Sequence, residues 1–260
     1  MPKLHLINSH LGGMGKSLFS RVLLHLHGVL NIPVVAFDAD FQTYNLYRCY
    51  PQITHQIKFS NAHPTKTDGI VSALETGQSV VVNLASNSGT AISDWLERDS
   101  IFEVLEELSE QNSLYRYELV NWFLSDGTAV SLAEFLSCVE TYGKEMTQVL
   151  VQNLGRSQPG DWEKSIDDPA LVQASQQTRV YRVALPRFYE PDGFNNFHCS
   201  FAEVLEREEL NLLDLQRVET FLEECQQMIA QSGFFLVDPF QKQQPQDLFS
   251  DNAQFSQYET

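Results

Sequence analysis

Short apolar runs and amphipathic stretches alternate along most of the chain. Segments 4–7, 32–37, 79–84, 115–124, 146–153 and 180–186 are compact, largely apolar and rich in β-branched or aromatic residues. Such runs predict strands, and near-continuous ones fit a parallel sheet buried on both faces. Segment 53–59 alternates only weakly and predicts an edge strand. Between the strands, apolar positions recur at helical spacing over 16–30, 44–50, 68–76, 93–109, 129–142 and 208–231. The 93–109 helix turns Trp95, Leu96, Ile101, Phe102, Leu105 and Leu108 inward and its Glu residues outward. The 208–231 helix carries a stripe of Leu210, Leu213, Val218, Phe221, Leu222, Cys225 and Ile229. Ser131 and Glu134 have capping-box spacing near the start of the 129–142 helix, and Gly143 ends it. Segment 154–177, broken by Pro159, Gly160 and Pro169, predicts a loop with one short helix. The expected architecture is α/β: a mostly parallel central sheet with helices on both faces, three layers deep. It fills a single domain over 1–238, followed by a flexible polar tail over 239–260.

The first strand leads into Gly12-Gly13-Met14-Gly15-Lys16-Ser17, and the first helix begins at Lys16. Strand, glycine loop, Gly-Lys-Ser and helix form the layout of a phosphate-binding loop. Glycines let the backbone turn its N–H groups toward a phosphate, and the helix N-terminus adds a favourable dipole. The lysine ammonium reaches the β/γ-phosphates, and the serine hydroxyl can bind Mg²⁺. Gly12, Gly13, Met14, Gly15, Lys16, Ser17 and Leu18 are therefore candidate contacts to ATP or ADP. The second strand ends in Asp38-Ala39-Asp40, which puts two carboxylates at a strand end of the same sheet. Strand ends are where such sheets carry their sites.

Composition narrows the partners. The 260 residues hold 17 Lys and Arg against 34 Asp and Glu, for a formal net charge of −17. That balance works against non-specific binding to nucleic acid or an anionic membrane. Cys49, Cys138, Cys199 and Cys225 are widely spaced and make no C-x-x-C, as expected of reduced, mostly buried thiols in a cytoplasmic protein. The N-terminus lacks the pattern of a signal peptide, and no run approaches the ~20 apolar residues of a membrane span. His25 and His27 sit at i and i+2 of a helix and do not face each other, so they make no metal pair.

The loop reads x-G-G-x-G-K-S, which resembles the K-G-G-x-G-K-[ST] loop of the ParA/MinD ATPases. Asp38-Ala39-Asp40-Phe41-Gln42 is similar to that family's D-x-D-P-Q element, with Phe41 at the proline position. By this resemblance Asp40 orients the attacking water and Asp38 is a metal-side or second-shell carboxylate, or the two roles are reversed. The family's h-h-h-h-D-x-P-A-G segment corresponds to the strand that ends at Asn83, with Ala85-Ser86-Asn87-Ser88-Gly89 in place of its loop. Asn153 matches the position of an asparagine set against the adenine base. Pro186 matches a strand-ending proline whose loop lines the base pocket, which brings in Arg187. The resemblance implies a P-loop NTPase-type fold, ATP/ADP and Mg²⁺ as cofactors, a slow ATPase switch and a nucleotide-dependent homodimer. Within the family, the acidity, the altered metal-side strand and the C-terminal half look closest to plasmid-borne ParA-like or MobD-like proteins of conjugative mobilisation.

Two departures bear on chemistry. Leu11 stands where the family has a lysine that reaches the partner's phosphates, so that position brings no charge to a transition state. Lys144 and Arg187, near strand ends, are candidates to replace it. Asn83 can hydrogen-bond a metal-bound water but adds no negative charge for Mg²⁺. The C-terminal end is acidic and Gln-rich rather than basic or membrane-seeking, which points to a protein partner, such as a DNA-processing or partition protein. Three readings follow. One is an ATP-driven switch in plasmid or cargo partitioning or in mobilisation. Another is a nucleotide-binding scaffold without hydrolysis. The third, a small-molecule kinase or ligase, fits the low Lys and Arg count worst.

Overall fold

The apolar runs pair into one seven-stranded sheet whose pairings are all parallel. The computed structural model describes residues 2–59, 64–86, 88–111, 116–157, 160–162, 168–176, 179–194 and 197–232. The strands are β1 (Lys3–Asn8), β2 (Val34–Asp38), β3 (Thr54–Gln56), β4 (Ser79–Asn83), β5 (Glu118–Ser125), β6 (Thr147–Asn153) and β7 (Val180–Leu185), in the order β3-β2-β4-β1-β5-β6-β7. The helices are α1 (Lys16–Val29), α2 (Asn45–Cys49), α3 (Asp68–Glu75), α4 (Gly89–Arg98), α5 (Ile101–Gln111), α6 (Ala129–Tyr142), α7 (Pro169–Ser175), α8 (Phe201–Leu205) and α9 (Leu212–Ser232).

Strand alternation assigns side chains to the two faces of the sheet. Ile7, Ala36, Val81, Trp122 and Val149 pack with Phe19 and Leu23 of α1 and with Phe201, Phe221 and Cys225 of α8 and α9. Leu4, Leu6, Phe37, Val80 and Val82 meet Ile70 of α3, Trp95 of α4 and Leu105 of α5 on the other face. Phe123 and Leu150 extend that second face under Leu132 and Phe135 of α6. Helices on both faces make the expected three layers.

Several local expectations need correction. The helix read over 93–109 is two helices, α4 and α5. Ser100 adopts a left-handed φ of 47°, and the Asp99 and Ser100 N–H groups turn back to the Trp95 and Glu97 carbonyls. The break lets Trp95 and Ile101 enter the same core from two directions. Thr128, not Ser131, caps α6: its side chain accepts from the Ser131 N–H, while the Ser131 hydroxyl donates to Ser125 Oγ at 2.8 Å. α9 starts at Leu212, so Leu210 lies ahead of it, and Leu213 is 68% exposed. The buried stripe begins at Val218. Helix α8 has no apolar period long enough to announce it. It is held by a capping box in which Ser200 Oγ accepts from the Glu203 N–H and the Glu203 carboxylate accepts from the Ser200 N–H. The tail over 239–260 lies outside the described residues.

Candidate nucleotide-phosphate site

β1 is the central strand, flanked by β4 and β5, so the loop after Asn8 opens at the middle of the sheet's C-terminal edge. Parallel pairing brings the ends of β2, β4 and β6 to that same edge. The register sets Asn83 beside both Ile7 and Asp38.

The loop's shape comes from two glycines. Gly13 has φ 73° and Gly15 φ 90°, left-handed values that an L side chain adopts only with strain. Gly15 is also the N-cap of α1, where no side chain caps the helix and no acidic residue sits in the first turn. The free amides and positive end of α1 therefore face the loop, an arrangement that suits an anion.

Lys16 is folded into this loop and only 7% exposed. Its ammonium donates to Ser9 Oγ at 2.9 Å, to Ser86 Oγ at 3.2 Å and to the Leu11 carbonyl at 3.3 Å. All three partners are neutral, and no ion pair to Lys16 exists among the described residues. Burial holds its pKa below the ordinary lysine value, and the charge of Asp40 pulls it back up. Ser86, from the turn after β4, also lies against Gly12, its Oγ 3.2 Å from where a Cβ would be. Met14 is buried and Leu18 packs at the margin of the α1 core.

Behind the loop lies a buried polar relay. Asn83 Nδ2 donates to Asp38 Oδ1 at 2.8 Å and to Ser17 Oγ at 3.3 Å, and Ser20 Oγ donates to Asn83 Oδ1 at 3.4 Å. Asp38 is fully buried. Its Oδ1 also accepts the Asp40 N–H, and its Oδ2 accepts the N–H groups of Leu46 and Tyr47 at the start of α2. A left-handed Tyr44, φ 46°, turns the chain so that those amides point at the carboxylate. Burial raises the Asp38 pKa, and the hydrogen bonds from Tyr47, Asn83 and Asp40 oppose it. With four donors on two oxygens, Asp38 reaches the loop through Asn83 and Ser17. Asp40 is half-buried and accepts the Thr43 hydroxyl at 3.1 Å.

On the other flank, Asn153 ends β6. Its Nδ2 donates to the Met14 carbonyl at 2.8 Å and its Oδ1 accepts the Gly155 N–H at 2.9 Å. The amide nitrogen thus ties the turn after β6 to the phosphate loop, the amide oxygen braces that turn, and a second N–H and a second oxygen lone pair are left for a base edge. Pro186 follows β7, and Arg187 donates to the Leu154 carbonyl at 3.2 Å on the same flank. Lys144 precedes β6, at the opposite edge of the sheet, where its carbonyl takes a hydrogen bond from Arg179. It cannot serve the loop. The cation that does lie over the loop is Arg156, whose Nη2 is 3.3 Å from where a Cβ on Gly13 would stand. Sequence reasoning passed over it; its place three residues beyond Asn153 was the available signal.

A parallel sheet clad on both faces, with a left-handed glycine loop feeding an uncapped helix from its central strand, defines the P-loop NTPase type of α/β fold. No family model matches the chain, and no curated protein does. Solved structures similar to it include apo McdA from Cyanothece, at 17% identity and TM-score 0.45 over 87% of this chain and 99% of that one. Another is the septum site-determining protein MinD from Pyrococcus horikoshii in complex with Mg-ADP, at 14% identity and TM-score 0.46, over 90% and 100%. A third is pNOB8 ParA, at 12% and 0.46, over 89% and 100%. At such identities and TM-scores the chemistry has to be argued from the loop itself.

Proposed function

We propose that this protein binds Mg·ATP and works as a slow ATPase switch of the ParA/MinD type. One observation carries the reading: a buried lysine ammonium, surrounded by neutral oxygens, stands in a left-handed glycine loop at an uncapped helix N-terminus. A buried charge with no directly bonded counter-ion is costly, Asp40 offsets that cost only in part, and a phosphate would supply the missing partner. In this reading Gly12 to Ser17 amides and Lys16 hold the phosphates, displacing the bond from Lys16 to Ser86. Leu18, Pro186, Arg187 and Asn153 border the base, and Asn153 also braces the phosphate loop at Met14. Asp40 orients the water that attacks. The residues fit a magnesium ion that keeps most of its own water, as Mg²⁺ does in phosphate sites. Ser17 and the nucleotide would hold it, with Asp38 and Asn83 behind Ser17, and it would neutralise charge on the phosphates.

Among the described residues no helix is long and apolar enough to cross a membrane. The acidic surface favours a basic protein partner, of the kind that processes or partitions DNA, over direct contact with DNA or lipid. Nucleotide occupancy would order the loop after β2, and hydrolysis would release it, which couples turnover to partner choice or to pairing of two copies. A second reading, binding without hydrolysis, draws on Leu11, which is 52% exposed and brings no charge, and on the uncharged Asn83. Mg²⁺-ATP binding and turnover on the pure protein, beside Lys16→Ala and with particle mass followed in ATP and ADP, decide between them. Saturable binding lost in Lys16→Ala, slow turnover and an ATP-dependent rise in mass support the switch. Binding with neither turnover nor change of mass supports the scaffold. No binding by the wild type would overturn both.

A further inference from the structure

The loop holds one buried lysine, and the position that could add a second cation from the loop itself is Leu11, exposed and uncharged. A triphosphate carries several negative charges, and a single ammonium leaves most of them to backbone dipoles. Arg156 is placed to make up the difference. Its Nη2 lies 3.3 Å from the Cβ position of Gly13, directly over the glycine loop.

Its backbone is held there by the same residue that braces the loop. Asn153 donates to the Met14 carbonyl, accepts the Gly155 N–H through its side chain, and accepts the Arg156 and Ser157 N–H groups through its carbonyl, both at 3.1 Å. The Asn153–Ser157 turn and the loop therefore form one braced unit, and Arg156 projects from it. Its side chain is exposed, and no ion pair to it exists among the described residues. In a chain with 34 acids and 17 bases, a guanidinium that pairs with no carboxylate among the described residues and stands above a glycine loop is placed to take a ligand.

We infer that Arg156 is the second cation of the phosphate site and binds the polyphosphate of the nucleotide from within the same chain, supplying the charge that Leu11 does not. The planar guanidinium fork matches paired phosphate oxygens, and such charge-assisted bonds are among the stronger ones in proteins. Gly13 lies beneath it with a left-handed φ of 73°, which favours glycine, and a Cβ there would press on the guanidinium by only a few tenths of an ångström. The inference rests on the phosphate-loop reading above and adds the residue that gives the site its preference for polyphosphate over monophosphate.

The test is titration calorimetry of the full chain with Mg²⁺-ATP and with AMP, on wild type, Arg156→Ala and Arg156→Lys, with Lys16→Ala in parallel. Arg156→Ala is expected to weaken ATP binding by about 10- to 100-fold, the range for a charge-assisted hydrogen bond, while AMP affinity changes little. Arg156→Lys should recover part of the loss. The nucleotide-free melting temperature should not move, since the side chain is exposed; if it does, Arg156→Gln, which keeps length and polarity, is read in its place. Wild-type ATP binding with an unchanged ATP-to-AMP ratio in Arg156→Ala would overturn this inference and leave the phosphate loop standing. Equal loss of ATP and AMP would overturn it too, because the residue would then serve the base or the fold. No ATP binding by the wild type would remove both readings.

Discussion

Asn83 stands where a metal-side aspartate is expected, so Asn83→Asp is the substitution a comparison of motifs would recommend as a repair. The structure predicts that it damages the fold. Asn83 and Asp38 are both fully buried, with Nδ2 and Oδ1 2.8 Å apart. A second carboxylate in that place puts two negative charges about 3 Å apart, a repulsion of about 5–6 kcal/mol at an effective dielectric of ~20. Protonation sets an upper limit: keeping one carboxyl neutral at pH 7, against an ordinary pKa near 4, costs about 4 kcal/mol. The variant should therefore lose about 4 kcal/mol at neutral pH, a large share of the ~5–15 kcal/mol that holds a domain together. The sign with pH is fixed. The folded variant keeps a proton that its unfolded chain gives up above the ordinary carboxylate range, so the deficit shrinks as pH falls toward that range. Urea unfolding at pH 7 and pH 5 without nucleotide, on wild type, Asn83→Asp and Asn83→Ala, measures it. Asn83→Ala loses hydrogen bonds without adding charge and should cost about 1–3 kcal/mol, with a smaller recovery in acid because Asp38 loses the bond that opposes its raised pKa. An Asn83→Asp protein as stable as wild type at pH 7 would refute the argument, since Asp38 could not then be an ionised carboxylate facing position 83.

Three further outcomes are expected. Gly15→Ala forces a left-handed φ of 90° on alanine and sets its Cβ 3.0 Å from Asn153 Nδ2, which is already bonded to Met14; it should cost about 1–2 kcal/mol in thermal unfolding and abolish ATP binding by calorimetry. His5 and His27 are buried in contact with each other, and burial holds His27 to a pKa of about 4 and His5 well below its ordinary value. The unfolded chain takes up protons below pH 6.5 that the folded chain refuses. Stability complete above that pH is lost down to about 4, by about 3 kcal/mol for His27 alone. His25, held by burial to about 4, adds to this loss, and Asp38, whose pKa is raised, works in the opposite direction, so a urea midpoint that fails to fall between pH 7 and 4.5 would count against the buried histidines. Ser200→Ala removes the capping box of α8 and should lower stability by about 1 kcal/mol, read as a shift in chemical unfolding.

The layers and the loop were legible because each rests on a strong local signal. Runs such as Val80-Val81-Val82 admit little but a buried strand, and Gly-Lys-Ser after a strand admits little but a helix entered through a glycine turn. What stayed hidden depends on backbone geometry without such a signal. Ser100 breaks a helix that the apolar spacing alone would continue through, because its left-handed φ carries no glycine to mark it. Asp38 reads from sequence as a metal-side or second-shell carboxylate, and the hydrogen bonds from the α2 amides, aimed by the left-handed Tyr44, carry no sequence signal. Lys144 and Arg187 are strand-end cations on paper, yet strand polarity sends the first to the wrong edge of the sheet. Arg156 needed the Asn153 bond to Met14, which joins two turns 139 residues apart in sequence.

The placement of these few charges also bears on how a chain of net charge −17 would hold the proposed anion. At physiological salt the Debye length is about 8 Å, so carboxylates on the far surfaces are largely screened from the loop. The outcome is decided by groups within hydrogen-bonding reach. Asp38 is the nearest buried acid, and its four donors spread its charge before it reaches the phosphate position. The half-buried Asp40 is the other acid, and its charge partly offsets the lowering of the Lys16 pKa by burial. Against these two stand Lys16, the uncapped amides of α1 and the guanidinium of Arg156. The acidic excess is left to act on slower, longer-ranged matters, chiefly which macromolecule approaches the surface. Affinity for a nucleotide should accordingly respond to substitutions inside this group of five and be nearly indifferent to charge reversal on the outer faces of α5 and α9.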